Sequence, residues 1–527
     1  MSANSDQTKE SDDNQAMEMT SEDSYQSESE ADSDSESTPL QSLWNSLRAS
    51  MSTSMFERTE TKLFLPRDTF EQILSRTEGG LSGRRKLILE VMGIESSRPS
   101  EDDRALAEYI LDSAQKVFLI AVYIQLEQLH AAMKLFKVSQ YKDEKLPVEE
   151  RTARELDDTP RRHEFERMEN RQRDRRRKDR KKNPKRIWDI HTISKFQDNQ
   201  WTFLIPIISA HDQNCNFDSR CPIPFTTKNA QQRSGAHGIV YKYTIHPAHY
   251  KNSLHQSKID LVMRANGGSQ YETEPSVVAV KAFRTGGKNV AGDVKREVDA
   301  LAKMNQLGQK HIVRFITSFQ RGTQEDLEHY VLFEWADGGN LSDFWHQPQT
   351  PKRTASLVKW VIEQLCGLSR ALRAAHYMPN GACYRHGDLK PGNILWFPDS
   401  DGYGTLKIGD WGEAKIHNQV TALRHGRVDT TAKYGTRRYE PPETGLHPLL
   451  PKGTPHVRSR LYDLWGMGCI ILEFIIWLLY DHEELSRFNN SNQGYFGPSD
   501  MFYEISHEIS HERVPIDQRH HARFYNS

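Results

Sequence analysis

His386-Gly387-Asp388-Leu389-Lys390-Pro391-Gly392-Asn393-Ile394-Leu395, with a second acid ahead of a glycine at Asp410-Trp411-Gly412, is the stretch that decides how the chain is read. One acid, one lysine and one amide fall within six residues. Phosphoryl transfer from a metal-bound nucleotide needs such a set. A carboxylate orients the attacking hydroxyl, a cation steadies the phosphate, and an amide and a second carboxylate hold magnesium. Ile394-Leu395-Trp396-Phe397 and Thr405-Leu406-Lys407-Ile408-Gly409 read as two short strands, joined by a turn at Asp399-Ser400-Asp401-Gly402. Both acids then lie on loops flanking one hairpin, where a rigid scaffold can aim them at the same phosphate.

Upstream, Val277-Val278-Ala279-Val280-Lys281 is an apolar strand ending on a lysine. Burial makes an unpaired lysine costly, so it calls for a carboxylate. Glu297 is the candidate, on a helix whose apolar face carries Val294, Val298 and Leu301. Without the lysine strand, Glu297 would read as a surface residue. Arg233-Ser234-Gly235-Ala236-His237-Gly238-Ile239-Val240 is a glycine-bearing turn through which backbone amides can approach an anion. Val331-Leu332-Phe333-Glu334-Trp335-Ala336-Asp337-Gly338-Gly339 is a strand running into a glycine bend.

In this order and at these spacings the motifs resemble those of eukaryotic protein kinases of the Ser/Thr type. That resemblance implies an α+β, bilobal protein-kinase fold with a small β-rich N-lobe and a helical C-lobe. Its cofactors would be ATP and Mg2+, and its substrate a protein hydroxyl. It implies Asp388 as the hydroxyl-orienting base, Lys390 as the γ-phosphate cation, and Asn393 and Asp410 as metal ligands. Gly235 and Gly238 would cover the phosphates, with Lys281 on the α- and β-phosphates and Glu297 as its partner. Val240 and Ala279 would roof the adenine, Phe333 would guard the rear of its pocket, and the Glu334 carbonyl and Ala336 amide would meet its edge. Gly435-Thr436-Arg437-Arg438-Tyr439-Glu440-Pro441-Pro442-Glu443 resembles the segment that docks a peptide substrate. Asp463 would hold the backbone of the catalytic loop. By Trp411-Gly412-Glu413 and the helical N-terminal region, the chain looks like kinase-like proteins of filamentous fungi.

The sequence also departs from the pattern. Arg233 stands at the first glycine position, and Gly387 replaces the arginine of the usual His-Arg-Asp. That arginine binds a phosphate on the activation loop. Without it, phosphorylation of Thr430, Thr431 or Tyr434 has no obvious partner, and the loop is expected not to need it. Beyond residue 480 the chain is polar, no arginine for Glu443 stands out (Arg519 and Arg523 are the candidates), and the C-lobe reads as incomplete.

Composition narrows the setting. The 527 residues carry 70 basic and 72 acidic side chains, net −2, which gives no overall bias toward nucleic acid or membrane. Five scattered cysteines form neither a disulfide framework nor a zinc pattern, so the reading is a reducing interior, cytoplasmic and/or nuclear. The acidic start is not a signal peptide, and no apolar run is expected to span a membrane.

In chain order, 1–40 is a Ser/Asp/Glu tail too poor in apolar residues to fold. Residues 41–147 read as a helical domain, with 105–136 as one long apolar helical stretch. This domain is either a self-contained bundle or a docking surface for a protein partner. Residues 148–186 form a charged linker whose 171–182 run is an import signal or a solvated helix, with no base-reading element beside it. Residues 187–230 extend the kinase domain, 231–335 form the N-lobe, with a polar surface insertion at 247–276, 336–480 the C-lobe, and 481–527 an irregular tail. Two rivals remain open: a nucleotide-binding pseudokinase or scaffold acting through the helical domain, and a small-molecule phosphotransferase. The peptide-docking segment disfavours the latter.

Overall fold

The computed structural model describes residues 37–56, 61–75, 80–149, 187–210, 212–235, 238–251, 276–283, 290–323, 326–347, 351–379, 381–400, 402–413, 415–418, 437–442, 460–491, 493–494, 497–498, 501–507 and 520–524. Most of the acidic tail, the basic run, Thr430, Thr431, Tyr434, Glu443 and Arg519 lie outside them.

The N-terminal part opens at Pro39, where the Thr38 hydroxyl accepts from the Gln41 amide and caps α1 (Pro39–Ala49). The strands β1 (Ser52–Ser54) and β2 (Lys62–Phe64) pair antiparallel. Five helices follow: α2 (Thr69–Ser75), α3 (Gly80–Val91), α4 (Glu101–Ser113), α5 (Gln115–Tyr123) and α6 (Leu129–Val138). The stretch 105–136, expected as one long helix, is thus divided among three. A remote side chain makes the first break possible. The Asp143 carboxylate accepts from the Lys116 and Val117 amides, each at 3.0 Å, and caps the start of α5. Burial pushes that carboxyl above its usual pKa, and these backbone donors pull against it. The second break follows Gln125, whose φ is +52°.

Helix α7 (Ile190–Asn199) corrects the expected boundary at 187. Trp188, Phe196 and Phe203 join the core built by Leu47, Ile110, Phe118 and Phe136, so the first part of the supposed extension belongs to the helical module. Ile208, Ile223 and Phe225 pack instead against the N-lobe sheet. Aromatic content alone could not say which neighbour each half would choose.

The N-lobe strands are β3 (Ile208–Ser209), β4 (Cys215–Phe217), β5 (Phe225–Gly235), β6 (Gly238–Ile245), β7 (Tyr250–Lys251), β8 (Ser276–Phe283), β9 (Phe315–Arg321) and β10 (Glu328–Glu334). Six of them form one sheet, ordered β4-β9-β10-β8-β6-β5. The first long strand starts at Phe225, six residues before the expected boundary at 231. The polar insertion begins with a short turn and β7, and 252–275 fall outside the described residues. Within that six-stranded sheet β4 alone runs parallel to its neighbour, extending the sheet past β9, while β3 and β7 make a separate parallel pair.

Alternation gives that sheet two buried faces. The inner face carries Val331 and Phe315 against Val294, Val298 and Leu301 of α8 (Val290–Gln306). The outer face carries Tyr243, Val278, Val280, Tyr330 and Leu332, and it is roofed by Phe56 from the N-terminal module. The Phe56 ring lies 5.0–5.9 Å from the rings of Tyr330, Phe225, Tyr243 and Phe319. Its backbone is pinned on the near side, where Met55 N donates to Phe225 O and Ser54 Oγ to Ile223 O, at 2.7 and 2.6 Å.

The C-lobe holds α9 (Leu341–Trp345), α10 (Ala355–His376), β11 (Ala382–Arg385), β12 (Ile394–Phe397), β13 (Thr405–Ile408), β14 (Lys415–Asn418) and the long helix α11 (Leu461–Leu479). The expected hairpin is β12–β13, with Ile394 opposite Ile408. Contrary to expectation, α11 is long and apolar enough to cross a membrane by length and composition alone. Here it packs as the core helix of the lobe, burying Met467, Ile470, Phe474 and Trp477 together with the charged Asp463 and Glu473. Its other face leaves Leu461, Leu464, Leu472, Ile475 and Leu479 exposed. The segment expected to be irregular begins with α12 (His482–Ser491), and Tyr503–His507 pairs with His520–Phe524. Amphipathic spacing of Leu485 and Phe488 buries one side of α12 against the lobe.

Candidate active site

The two lobes meet at a lysine. Strand register places Val240, Lys281 and Val331 side by side, and likewise Lys242, Ala279 and Phe333 two residues along. All six therefore share the inner face. Lys281 Nζ lies 2.7 Å from Glu297 Oε1 on α8 and 3.0 Å from Asp410 Oδ1 on the far side. Burial alone would pull the ammonium's pKa down, yet the Asp410 and Glu297 carboxylates outweigh it and hold the pKa above its ordinary value. Asp410 has a left-handed backbone, with φ +52°, and its carboxylate is 38% exposed, so one side of it remains open to a ligand.

Opposite stands the loop after β11. Lys390 Nζ reaches Asp388 Oδ2 at 2.7 Å, and Asn393 Nδ2 donates to the Asp388 carbonyl at 2.8 Å. The Asp388 carboxylate thus sits beside a cation and an amide, as the six-residue spacing required. The loop is fixed from beneath by Asp463, fully buried at the start of α11. Its carboxylate accepts from the amides of His386 and Gly387, both at 2.8 Å, and from His376 Nε2 at 2.7 Å. The expected backbone role of Asp463 is visible, and His376 is a partner that the sequence did not reveal. His386 Nε2 in turn donates to Gly409 O at 2.8 Å, and its ring meets the buried Trp411 edge-on. One acid therefore holds both loops in register. Gly387 has φ +84°, a conformation that favours glycine, which gives the missing arginine a local physical cause.

Gly235 and Gly238 face each other at the ends of β5 and β6, with 236–237 outside the described residues. Phe333 lies 6.3 Å from Phe315, and Ala336 is buried where the strand leaves the sheet. Glu334, expected to act only through its carbonyl, also uses its side chain. Its carboxylate takes Lys407 Nζ at 2.7 and 2.8 Å and the Arg314 amide at 2.7 Å. This ties the segment between the lobes to β13, three residues before Asp410. Gly338 is required by close approach, because a Cβ there would enter the indole of Trp396. The acid-and-lysine alternation of a strand pattern carries no sign of such a tie. The glycine pair was legible, but its cause was not.

Asn393 and Asp410 offer an amide and a carboxylate oxygen. That set suits Mg2+, which takes one or two protein oxygens and completes its shell with water and phosphate.

A curled sheet with one helix beneath it, a helical lobe, and a lysine–carboxylate contact at the junction define the bilobal architecture of protein kinases. Residues 269–510 match the family model of the protein kinase domain. A probable cyclin-dependent kinase 8 of Dictyostelium discoideum is 28% identical over 202 residues, 38% of this chain and 47% of that protein. Serine/threonine-protein kinase Nek2 of Homo sapiens is 28% identical over 171 residues, 32% of this chain and 34% of that protein. Serine/threonine-protein kinase SSN3 of Pyricularia oryzae is 25% identical over 239 residues, 44% and 42%. The chain spans about a third to a half of the length of each of these relatives. Over residues 269–510 the chain thus matches the protein kinase domain, and the relatives it resembles there are protein kinases.

Proposed function

We propose that the protein is a Ser/Thr protein kinase that transfers the γ-phosphoryl group of ATP to a protein hydroxyl. The observation that carries this reading is the contact of Lys281 with both Glu297 and Asp410, opposite a loop that presents Asp388, Lys390 and Asn393 together. In this reading Lys281, held by Glu297, fixes the α- and β-phosphates, while Val240, Ala279 and Phe333 enclose the base and the Glu334 carbonyl and Ala336 amide meet its edge. Asn393 and Asp410 would hold Mg2+, which when bound would neutralise the charge on the phosphates of the nucleotide that donates the phosphoryl group. Asp388 accepts a hydrogen bond from the incoming hydroxyl and orients it for in-line attack. Lys390, now beside Asp388, then turns to the charge that develops on the phosphate.

A second reading rests on a different observation. The helical module has its own core and is bolted to the N-lobe through Phe56, an arrangement suited to a nucleotide-binding scaffold whose N-terminal part engages a protein partner. Labelled ATP, magnesium and a generic basic protein separate the two. Wild type is expected to incorporate label, and Asp388→Asn to lose at least about a hundredfold. Equal incorporation by both would eliminate the catalytic reading. A thermal shift with ATP and magnesium tests binding separately, and Asp388→Asn should retain it.

A further inference from the structure

We propose that two elements after the core helix, α12 and the pair Phe502–Tyr503, position the peptide-docking segment and thereby set the grip on protein substrate. This rests on the kinase reading. The docking segment is described over 437–442, and α11, α12 and the Phe502–Tyr503 pair all supply anchors to it.

Arg438 is the centre. Its Nε points to Glu473 Oε1 at 3.4 Å, its Nη2 donates to Asn489 Oδ1 at 2.5 Å, and its guanidinium lies 4.4 Å from the centre of the Phe502 ring. A buried carboxylate, an amide oxygen and an aromatic face thus make a three-sided seat for one planar cation. These are the groups a guanidinium bonds to and stacks on. Tyr439 follows, donating its hydroxyl to both Glu473 oxygens at 2.9 and 3.1 Å and packing its ring 5.8 Å from Phe502. Then comes Pro441, whose carbonyl accepts from Tyr503 Oη at 3.4 Å. Tyr503 is 2% exposed and edges onto Trp465 of α11.

Glu473 is 0% exposed within an otherwise apolar helix. A carboxylate in that position needs donors, and every donor the structure gives it comes from the docking segment. Arg438, for its part, would keep Glu473 and the more distant Phe488 ring, 6.0 Å away, without Asn489 and Phe502. The tail therefore completes a seat that the core helix begins. Asn489 and Phe502 touch neither the nucleotide-facing residues nor the Asp388 loop in any contact described. They are positioning residues.

The test uses the full chain with Phe502→Leu, which keeps packing but removes the aromatic face, and Asn489→Ala, with Asn489→Asp as the conservative rescue. Expected is a rise of about three- to tenfold in KM for a protein or peptide substrate. KM for ATP and the nucleotide-induced thermal shift should be unchanged, kcat should stay within about twofold, and Asn489→Asp should restore KM. In an Arg438→Ala background, Phe502→Leu should have a smaller further effect, because the cation is gone and only ring packing, as against Tyr439, is left to lose. Independently of activity, backbone amides 438–440 should exchange with deuterium faster in either variant. Were wild type inactive, the kinase reading would fail and the exchange measurement alone would decide this proposal. Unchanged exchange overturns it, as does an active protein whose substrate KM is insensitive to both variants or whose ATP KM rises in step. Should Phe502→Leu not fold, the Asn489 pair carries the same test from a half-buried position.

Discussion

Phe56→Ala is the most informative single change outside the site. The ring is 7% exposed, enclosed by four aromatic rings, with the Arg321 guanidinium 5.6 Å from its centre. The residues before it are fixed by two backbone-directed hydrogen bonds to Ile223 and Phe225, so the chain cannot easily collapse into the space left behind. A buried phenylalanine cut to alanine under such conditions costs about 3–5 kcal/mol, the transfer of the ring plus its cavity. The core of the helical module does not include Phe56, and the outer face of the sheet does, so the loss should fall on the N-lobe. For a unit of this size that corresponds to about 6–20 °C in the midpoint of its transition. Calorimetry would show the transition that ATP and magnesium stabilise moving down, with the other transition staying in place. Phe56→Leu should lose less than half as much. A shift under about 2 °C for Phe56→Ala would refute the reasoning, since it would mean that the ring contributes little to the sheet it covers.

Acidification should weaken the same junction. His249 is buried, accepts from the Arg67 amide through Nε2 and meets Pro206 O through Nδ1. Burial is the main cause that depresses its pKa to about 4, with His246, Arg67 and Lys116 adding to the effect. The unfolded chain takes this proton more readily, so the stabilising contribution is complete above about pH 6.5 and is lost as pH falls toward 4, on the order of 3 kcal/mol in all. Denaturation midpoints between those limits should flatten in His249→Gln, and an unchanged slope would count against the assignment. Thr430→Ala combined with Thr431→Ala should retain at least about half of wild-type phosphoryl transfer, because Gly387 offers a phosphate no cation. Abolished activity in a folded double variant would reverse that expectation.

The catalytic stretch was legible because its residues are close in sequence, and local spacing translates directly into a loop. Lys281 and Glu297 were legible for a different reason: a buried cation needs a carboxylate, and one stood on the right face of the next helix. What escaped were pairings over long separations between residues that look ordinary in isolation. Phe56 reaches Tyr330, Asp463 reaches His376, and Arg438 reaches Asn489 and Phe502. Glu473 was the one clue of this kind, an acid in an apolar helix, though nothing in the pattern named its partners. The tail looked irregular because its apolar residues are few, and among the described ones Leu485, Phe502 and Tyr503 are buried.

The match to the family model begins at residue 269, but the sheet to which that stretch belongs begins far earlier. A fragment trimmed to the matching span would lack β4, β5 and β6 together with the ring of Phe56. It would lay Val278, Val280, Tyr330 and Leu332 bare as a sticky sheet with two open edges. A fragment that keeps both cores closed should start no later than Thr38, because Leu43 and Leu47 of α1 belong to the core of the helical module. In this protein the portion shared with relatives and the portion able to stand alone are different lengths of chain.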